Sequence, residues 1–279
     1  MTNRSILISA SDLHAKLQDK NLIVIDGSWH LPNANRDAKA EYVSGHIEGA
    51  QFFDIDAISD QSSGLPHTIP TPDQFASAVG EMGISINSQI VVYDTAGMFS
   101  AARVWWMFKI FGAKNVRVLD GGMPAWKSAG FEVTDKKPSP NVAQFKTSLD
   151  ATRIVSLAEM RQRVKNNDAQ ILDARGAARF LGQAAEPRAG MRAGHMPGAT
   201  NIPYSTLLNA NGTFKSKAEL RALFAAQDIN LEGSTITTCG SGVTAAIILL
   251  ALELIGKTDT RLYDGSWAEW GSLADTPIE

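Results

Sequence analysis

The segment TTCGSGVTAA, residues 237–246, holds Cys239, the only cysteine in a chain of 279 residues. The thiol follows the β-branched run TITT and precedes the apolar run AAIILLALELI, with Gly240 and Gly242 between them. A strand that ends on a thiol and turns through glycines into a helix suits nucleophilic chemistry. Glycine permits positive φ and lets backbone come close to a bound atom. Consecutive N–H groups in such a turn form a concavity for an anion. The helix that follows adds the positive end of its dipole. Sulfur placed there is favoured as the thiolate, its nucleophilic form. A lone cysteine is otherwise commonly a small buried apolar residue. The Gly-Ser-Gly turn at a strand-to-helix switch tips the reading toward a nucleophile. Phosphoester chemistry would call for an arginine six residues past the cysteine to clamp phosphate oxygens, and Ala245 stands there.

The elements that must position the thiol occur twice. SGHIEGAQFFDID (44–56) echoes AGHMPGATNIPYS (193–205), which sets His46 and His195 149 residues apart. LIVIDGSW (22–29) echoes AQILDARG (169–176), and Trp126 echoes Trp270. Residues 90–122 echo 235–266, and in that match Asp94 takes the place of Cys239. The fold therefore does not need sulfur at this point, which predicts one active copy and one supporting copy. A period this long implies two tandem domains of one design rather than a solenoid. His46, His195, Asp26 and Asp173 occur in both copies while the thiol occurs in one, so they read as structural. Arg103 and Arg175 read as braces, and Trp105 and Trp106 as core.

Within each copy, short apolar β-rich runs alternate with helical patterns. NLIVID, SQIVVYD and VRVLDGG are strands in the first copy, and AQILDA, STITTC and TRLYDG in the second. TPDQFASAVGEMG opens on a cap signal and stops at Gly83, FSAARVWWMFKIFG stops at Gly112, and SKAELRALFAAQD and VTAAIILLALELIG match them. Alternation of this kind predicts the α/β class, with a parallel sheet in each domain covered by helices on both faces. Ligands of such sheets bind at the carboxyl ends of strands, where Cys239 sits. The expected domains are 1–135 and 153–279, with the polar, proline-containing stretch 136–152 as linker.

Bulk properties exclude several classes. Hydrophobic content of 44% and charged content of 20% are those of an ordinary globular protein. A net charge of −3 argues against a nucleic-acid or membrane-surface partner. One cysteine rules out an internal disulfide and a multi-cysteine metal site, and fits a reducing compartment. The N-terminal MTNRSILISASDLHAKL has no sustained apolar core of the kind a signal peptide carries, so a cytoplasmic location is expected.

The duplication, the paired GHIEGA and GHMPGA segments and the loop CGSGVT (239–244) together resemble the two-domain rhodanese-type sulfurtransferases, over about residues 5–272. Within that family CGSGVT resembles the loop of the 3-mercaptopyruvate sulfurtransferases, whereas the thiosulfate sulfurtransferases carry cations there. The resemblance implies two rhodanese-like domains and a persulfide on Cys239. It implies no metal or organic cofactor, and a thiol acceptor such as thioredoxin or a small thiol, or cyanide. ARFLGQAAEPRAG (178–190) resembles the family's Arg-Phe-x-Gly and Glu-Pro-Arg stretch, which assigns Arg179 and Arg188 to the substrate carboxylate and ketone. Gly240, Gly242, Val243 and Thr244 would cradle the transferred sulfur. Asp56 and His67 would form a proton relay with Ser241, bringing groups of the first copy to the thiol of the second. From residue type alone, Arg179 and Arg188 read equally as solvated charges, His67 as a loop histidine, and Asp56 and Ser241 as helix caps. A thiosulfate sulfurtransferase and a sulfur-carrier or redox-sensing module remain the competing functions. Two self-sufficient domains without a coiled coil predict a monomer.

Overall fold

The computed structural model describes residues 5–279, so the expected domain start at residue 1 and the first residues of the N-terminal segment lie outside the described residues. The chain divides into two compact units that are not continuous in sequence. The first holds the chain up to Asp60, Ile69–Asp150 and Ala210–Thr213. The second holds Gln61–Thr68, Ala151–Asn209 and Phe214–Glu279. His67, which sequence order places in the first copy, thus packs with the second unit.

The two units repeat one order of elements. The first runs β1 (Leu7–Ile8), α1 (Ala10–His14), β2 (Leu22–Asp26), α2 (Ala38–Ser44), β3 (Gln51–Phe52), α3 (Pro72–Glu81), β4 (Gln89–Tyr93), α4 (Ala101–Ile110), β5 (Val116–Leu119) and α5 (Gly122–Ser128). The second runs β6 (Ile154–Val155), α6 (Leu157–Asn166), β7 (Gln170–Asp173), α7 (Ala177–Phe180), β8 (Ala199–Asn201), α8 (Lys217–Ala225), β9 (Thr235–Thr238), α9 (Ala245–Leu254), β10 (Arg261–Tyr263) and α10 (Ser266–Trp270). Each sheet is wholly parallel, in the orders β1-β5-β4-β2-β3 and β6-β10-β9-β7-β8. The central strands are the apolar runs legible in the sequence. β4 lies between β5 and β2, and β9 between β10 and β7. The residue after β4 is Asp94 and the residue after β9 is Cys239, at the carboxyl edge of each sheet.

Local chemistry fixes the helix starts. Thr71 Oγ1 accepts the Gln74 N–H while Gln74 Oε1 accepts the Thr71 N–H, a reciprocal cap on α3. Ser216 and Glu219 do the same for α8. All ten residues of α9 are buried, including Glu253, whose carboxylate meets Arg153 at 3.2 Å. A helix apolar on every side belongs inside a core, and it starts directly after the cysteine loop.

Of the stretch 136–152, expected as a plain linker, residues 136–150 pack with the first unit. The Ala143, Ser148 and Asp150 amides donate to the Gly80, Phe111 and Ile110 carbonyls. Phe145 is buried edge-on against Phe75 and Phe108. Gly80 makes the close approach possible, since a Cβ there would lie 2.6 Å from the Ala143 carbonyl oxygen.

The strand-end aspartates differ between units. Asp173, at the end of β7, is paired with Arg175 through Nε and Nη2. Asp26, at the end of β2, has Ser28 at the matching position, whose N–H it accepts at 2.9 Å. With no cation paired to it among the described residues, burial pushes the Asp26 carboxyl up to about 6, and the negative charge of Asp94 adds to the rise. The folded state therefore holds this proton more tightly than the unfolded chain. The associated stability is complete below about pH 4 and lost as pH rises from there to about 6. Asp26→Asn is expected to leave the melting temperature unchanged at pH 4 and raise it at pH 8, by about 1–3 kcal/mol of stability. An equal effect at both pH values would contradict the assignment.

Candidate active site

Helix α9 and segment 265–268 hold the cysteine loop from two sides. Cys239 is buried, 2% exposed, and its carbonyl accepts the Trp267 N–H at 2.9 Å. The Gly240 carbonyl accepts the Ala268 N–H at 2.8 Å. Gly242 turns the chain at φ +77°, a conformation that L side chains rarely adopt. Val243 is buried and Thr244 half-buried, immediately before α9. Among the described residues, no protein acceptor takes the N–H groups of Ser241, Gly242, Thr244 and Ala245. Four amide donors in one loop, at the start of a ten-residue helix, make a positive local field around the thiol.

The first unit shows what this loop geometry binds. There the Asp94 carboxylate collects five amides. Oδ1 accepts from Ala96 and Gly97, and Oδ2 from Phe99, Ser100 and Ala101, all at 2.8–3.0 Å. The corresponding loop of the second unit has a sulfur in place of the carboxylate. The matching turn of the second unit leaves the Ser241, Gly242, Thr244 and Ala245 amides without a protein acceptor among the described residues.

Other side chains converge on the cysteine loop at Ser241 and Gly240. His67 Nδ1 lies 2.9 Å from Ser241 Oγ, and both groups are buried. Ser241 spends its hydroxyl on this histidine and does not cap α9, whose capping residue is Thr244. His67 adopts φ +62°, a conformation costly for a non-glycine residue and frequent where function demands it. Arg179, in α7, brings Nη2 to 2.9 Å from where a Cβ on Gly240 would be, so Gly240 is the residue that admits the guanidinium. Arg179 is positioned by Glu186, whose Oε2 takes both Nε and Nη2. Its two Nη1 hydrogens have no acceptor among the described residues. Glu186 is held in turn by Arg175 at 2.8 Å, and the Arg175 guanidinium stacks 4.3 Å over Trp267. A charge chain Asp173–Arg175–Glu186–Arg179, buried at its Asp173–Arg175 end and half-buried at Arg179, thus runs from the end of β7 to the cysteine loop.

Arg188 is half-buried on the loop that carries Glu186. Asp56 belongs to the first unit, exposed, where its Oδ2 accepts the Trp29 indole N–H at 3.0 Å. Two residues before it, Asp54 accepts the Ala57 N–H through Oδ1 at 3.0 Å. His46 and His195 bond backbone carbonyls through Nδ1, Tyr42 at 2.8 Å and Phe180 at 3.0 Å, as tethers of the Gly-His turns. Arg175 braces its strand end, and Arg103 stacks over Trp106 at 4.7 Å in the buried face of α4.

The rhodanese-like domain family matches residues 9–129 and 156–273, one match for each copy in the sequence. The chain belongs to the rhodanese family. The 3-mercaptopyruvate sulfurtransferase of Escherichia coli K12 is 39% identical, over 98% of this chain and 97% of its own. The human 3-mercaptopyruvate sulfurtransferase is 40% identical, over 94% and 89%. The crystal structure of SseA from Escherichia coli, described as a 3-mercaptopyruvate sulfotransferase, superimposes with a TM-score of 0.87 at 36% identity. It covers 95% of this chain and 99% of that one. As a rhodanese, the chain is duplicated and carries its thiol in the second copy. Sequence reasoning missed Glu186 as the residue that orients Arg179, although it lies inside the Glu-Pro-Arg motif. The available signal was a carboxylate between two arginines in a loop otherwise poor in acids.

Proposed function

We propose that this rhodanese is a sulfurtransferase that takes sulfur from 3-mercaptopyruvate, holds it as a persulfide on Cys239 and passes it to a thiol or to cyanide. The observation that carries this reading is the pair of matching loops: five amides on the Asp94 carboxylate in one, and uncommitted amides beside Cys239 in the other.

The Cys239 thiolate attacks the substrate sulfur. An S–S bond forms, the C–S bond breaks, and its electron pair leaves on carbon as the enolate of pyruvate. The ketone beside that carbon is the electron sink that makes the cleavage feasible. Arg179 and Arg188 hold the substrate carboxylate and polarise the ketone, a task suited to the planar guanidinium fork. The proton of the substrate thiol ends on the enolate carbon, giving pyruvate. Ser241 and His67 move it, with Asp56 as the third group of the relay. Loop amides of Gly240, Ser241, Gly242, Val243 and Thr244 hold the anionic persulfide. A second thiolate, that of thioredoxin or a small thiol, or cyanide, then attacks the outer sulfur and returns Cys239 as thiolate. The side chains of the loop itself carry no cation, which disfavours dianionic thiosulfate.

No helix among the described residues is long and apolar enough to cross a membrane. A cytoplasmic monomer is the form we assign. The support is a thiol that must stay reduced to react, and two units each with its own core.

With cyanide as acceptor, pyruvate release from 3-mercaptopyruvate is expected to exceed thiocyanate formation from thiosulfate by at least about tenfold in kcat/KM. Arg179→Ala is expected to raise KM for 3-mercaptopyruvate about 10–100-fold, the loss of one charged two-point contact. Faster turnover of thiosulfate, or an unchanged KM in the variant, would contradict the reading.

A further inference from the structure

We propose that Ser266 is a positioning residue: with Trp267 and Ala268 it clamps Cys239 and Gly240 at three points and sets the loop for sulfur transfer. This rests on Cys239 as the sulfur acceptor.

Among the described residues, five that are not glycine have positive φ: Asn35, His67, Asn167, Asp228 and Ser266. Asn and Asp visit that region routinely. The other two, His67 and Ser266, both bond to the cysteine loop. Ser266 is fully buried at φ +51°. Its hydroxyl donates to the Tyr263 carbonyl at 2.9 Å and accepts the Cys239 N–H at 3.4 Å. The Trp267 and Ala268 amides take the Cys239 and Gly240 carbonyls. The peptide groups on both sides of the cysteine are thereby fixed from outside the loop, and the N–H groups of Ser241, Gly242, Thr244 and Ala245 are not used.

The first unit is an internal control. LDGGMPAW (119–126) matches YDGSWAEW (263–270), so Gly122 stands for Ser266 and Pro124 for Ala268. Gly122 has φ +55°, and a Cβ there would lie 2.5 Å from the Asp94 carbonyl oxygen. Proline has no N–H to give. One clamp bond survives, from the Met123 N–H to the Asp94 carbonyl at 2.9 Å. That loop needs no more, because the Asp94 carboxylate ties its amides from within. The second loop gives up the internal tie to keep its amides for sulfur, and the external clamp replaces it. A serine in a backbone conformation that favours glycine is the signature of that exchange.

The test is Ser266→Gly in the full chain, which restores the residue of the first unit, relieves the backbone and removes the hydroxyl. The melting temperature is expected to hold or rise. The rate of Cys239 alkylation by iodoacetamide at pH 7 is expected to fall about three- to tenfold, and kcat with 3-mercaptopyruvate to fall by a similar factor at unchanged KM. Ser266→Ala, which keeps a Cβ, reads the same quantities should the glycine variant fold poorly. Wild-type alkylation and kcat in a folded variant would overturn the clamp. Alkylation needs no sulfur donor, so it reports on the clamp even where the substrate assignment fails.

Discussion

Cys239→Asp is expected to abolish sulfur transfer and at the same time stabilise the second unit. The first unit already shows this combination. There an aspartate at the corresponding position gathers five amides at 2.8–3.0 Å, and no thiol is present. Placed at 239, a carboxylate meets the unclaimed amides of Ser241, Gly242, Thr244 and Ala245, and hydrogen bonds to an ionised acceptor are the strong kind. The stability gain is expected at about 1–2 kcal/mol, read as a rise of about 3–6 °C in the melting temperature. Loss of the nucleophile lowers kcat/KM by at least about 10⁴-fold. Cys239→Ser loses the same activity without the stabilisation, since a neutral hydroxyl gives the amides a weaker partner. A Cys239→Asp variant less stable than Cys239→Ser would mean that the loop is not an anion cradle.

The reciprocal change is Asp94→Ala. Removing the carboxylate strands five amides, four of them in a buried or half-buried turn where water replaces the lost bonds poorly. Of the three clamp bonds of the second unit only that from the Met123 N–H remains here, because Gly122 has no hydroxyl and Pro124 no N–H. The expected cost is about 3–5 kcal/mol, seen as a lower melting transition of the first unit, with Cys239 alkylation unchanged. Asp94→Asn costs a similar amount, since the amide group turns N–H donors toward backbone N–H donors. A loss below about 1 kcal/mol would show that the loop is held by packing rather than by its carboxylate.

Much of this was readable before any coordinates. The central strands are short apolar runs between clear helix signals, so β2, β4, β7 and β9 and the helices α3, α4, α8 and α9 follow from pattern. The duplication fixed the number of units and singled out Cys239 against Asp94. The edge strands β1, β3, β6 and β8 have two or three residues, too few for a period to show. The exchange of residues 61–68 into the second unit was also hidden, because packing and not sequence order decides it. Ser266 does not stand out in the sequence, because DGS and DGG look alike as turns. The difference acquires meaning only when φ at that residue and the Cys239 N–H are both known.

The most direct test of Cys239 as the sulfur carrier is the intact mass of the protein after mixing with 3-mercaptopyruvate in the absence of any acceptor. A gain of one sulfur atom is expected, on the peptide containing Cys239 and removed by cyanide, with one pyruvate released per chain. Pyruvate released with no added mass, or sulfur found on another residue, would contradict a persulfide at Cys239.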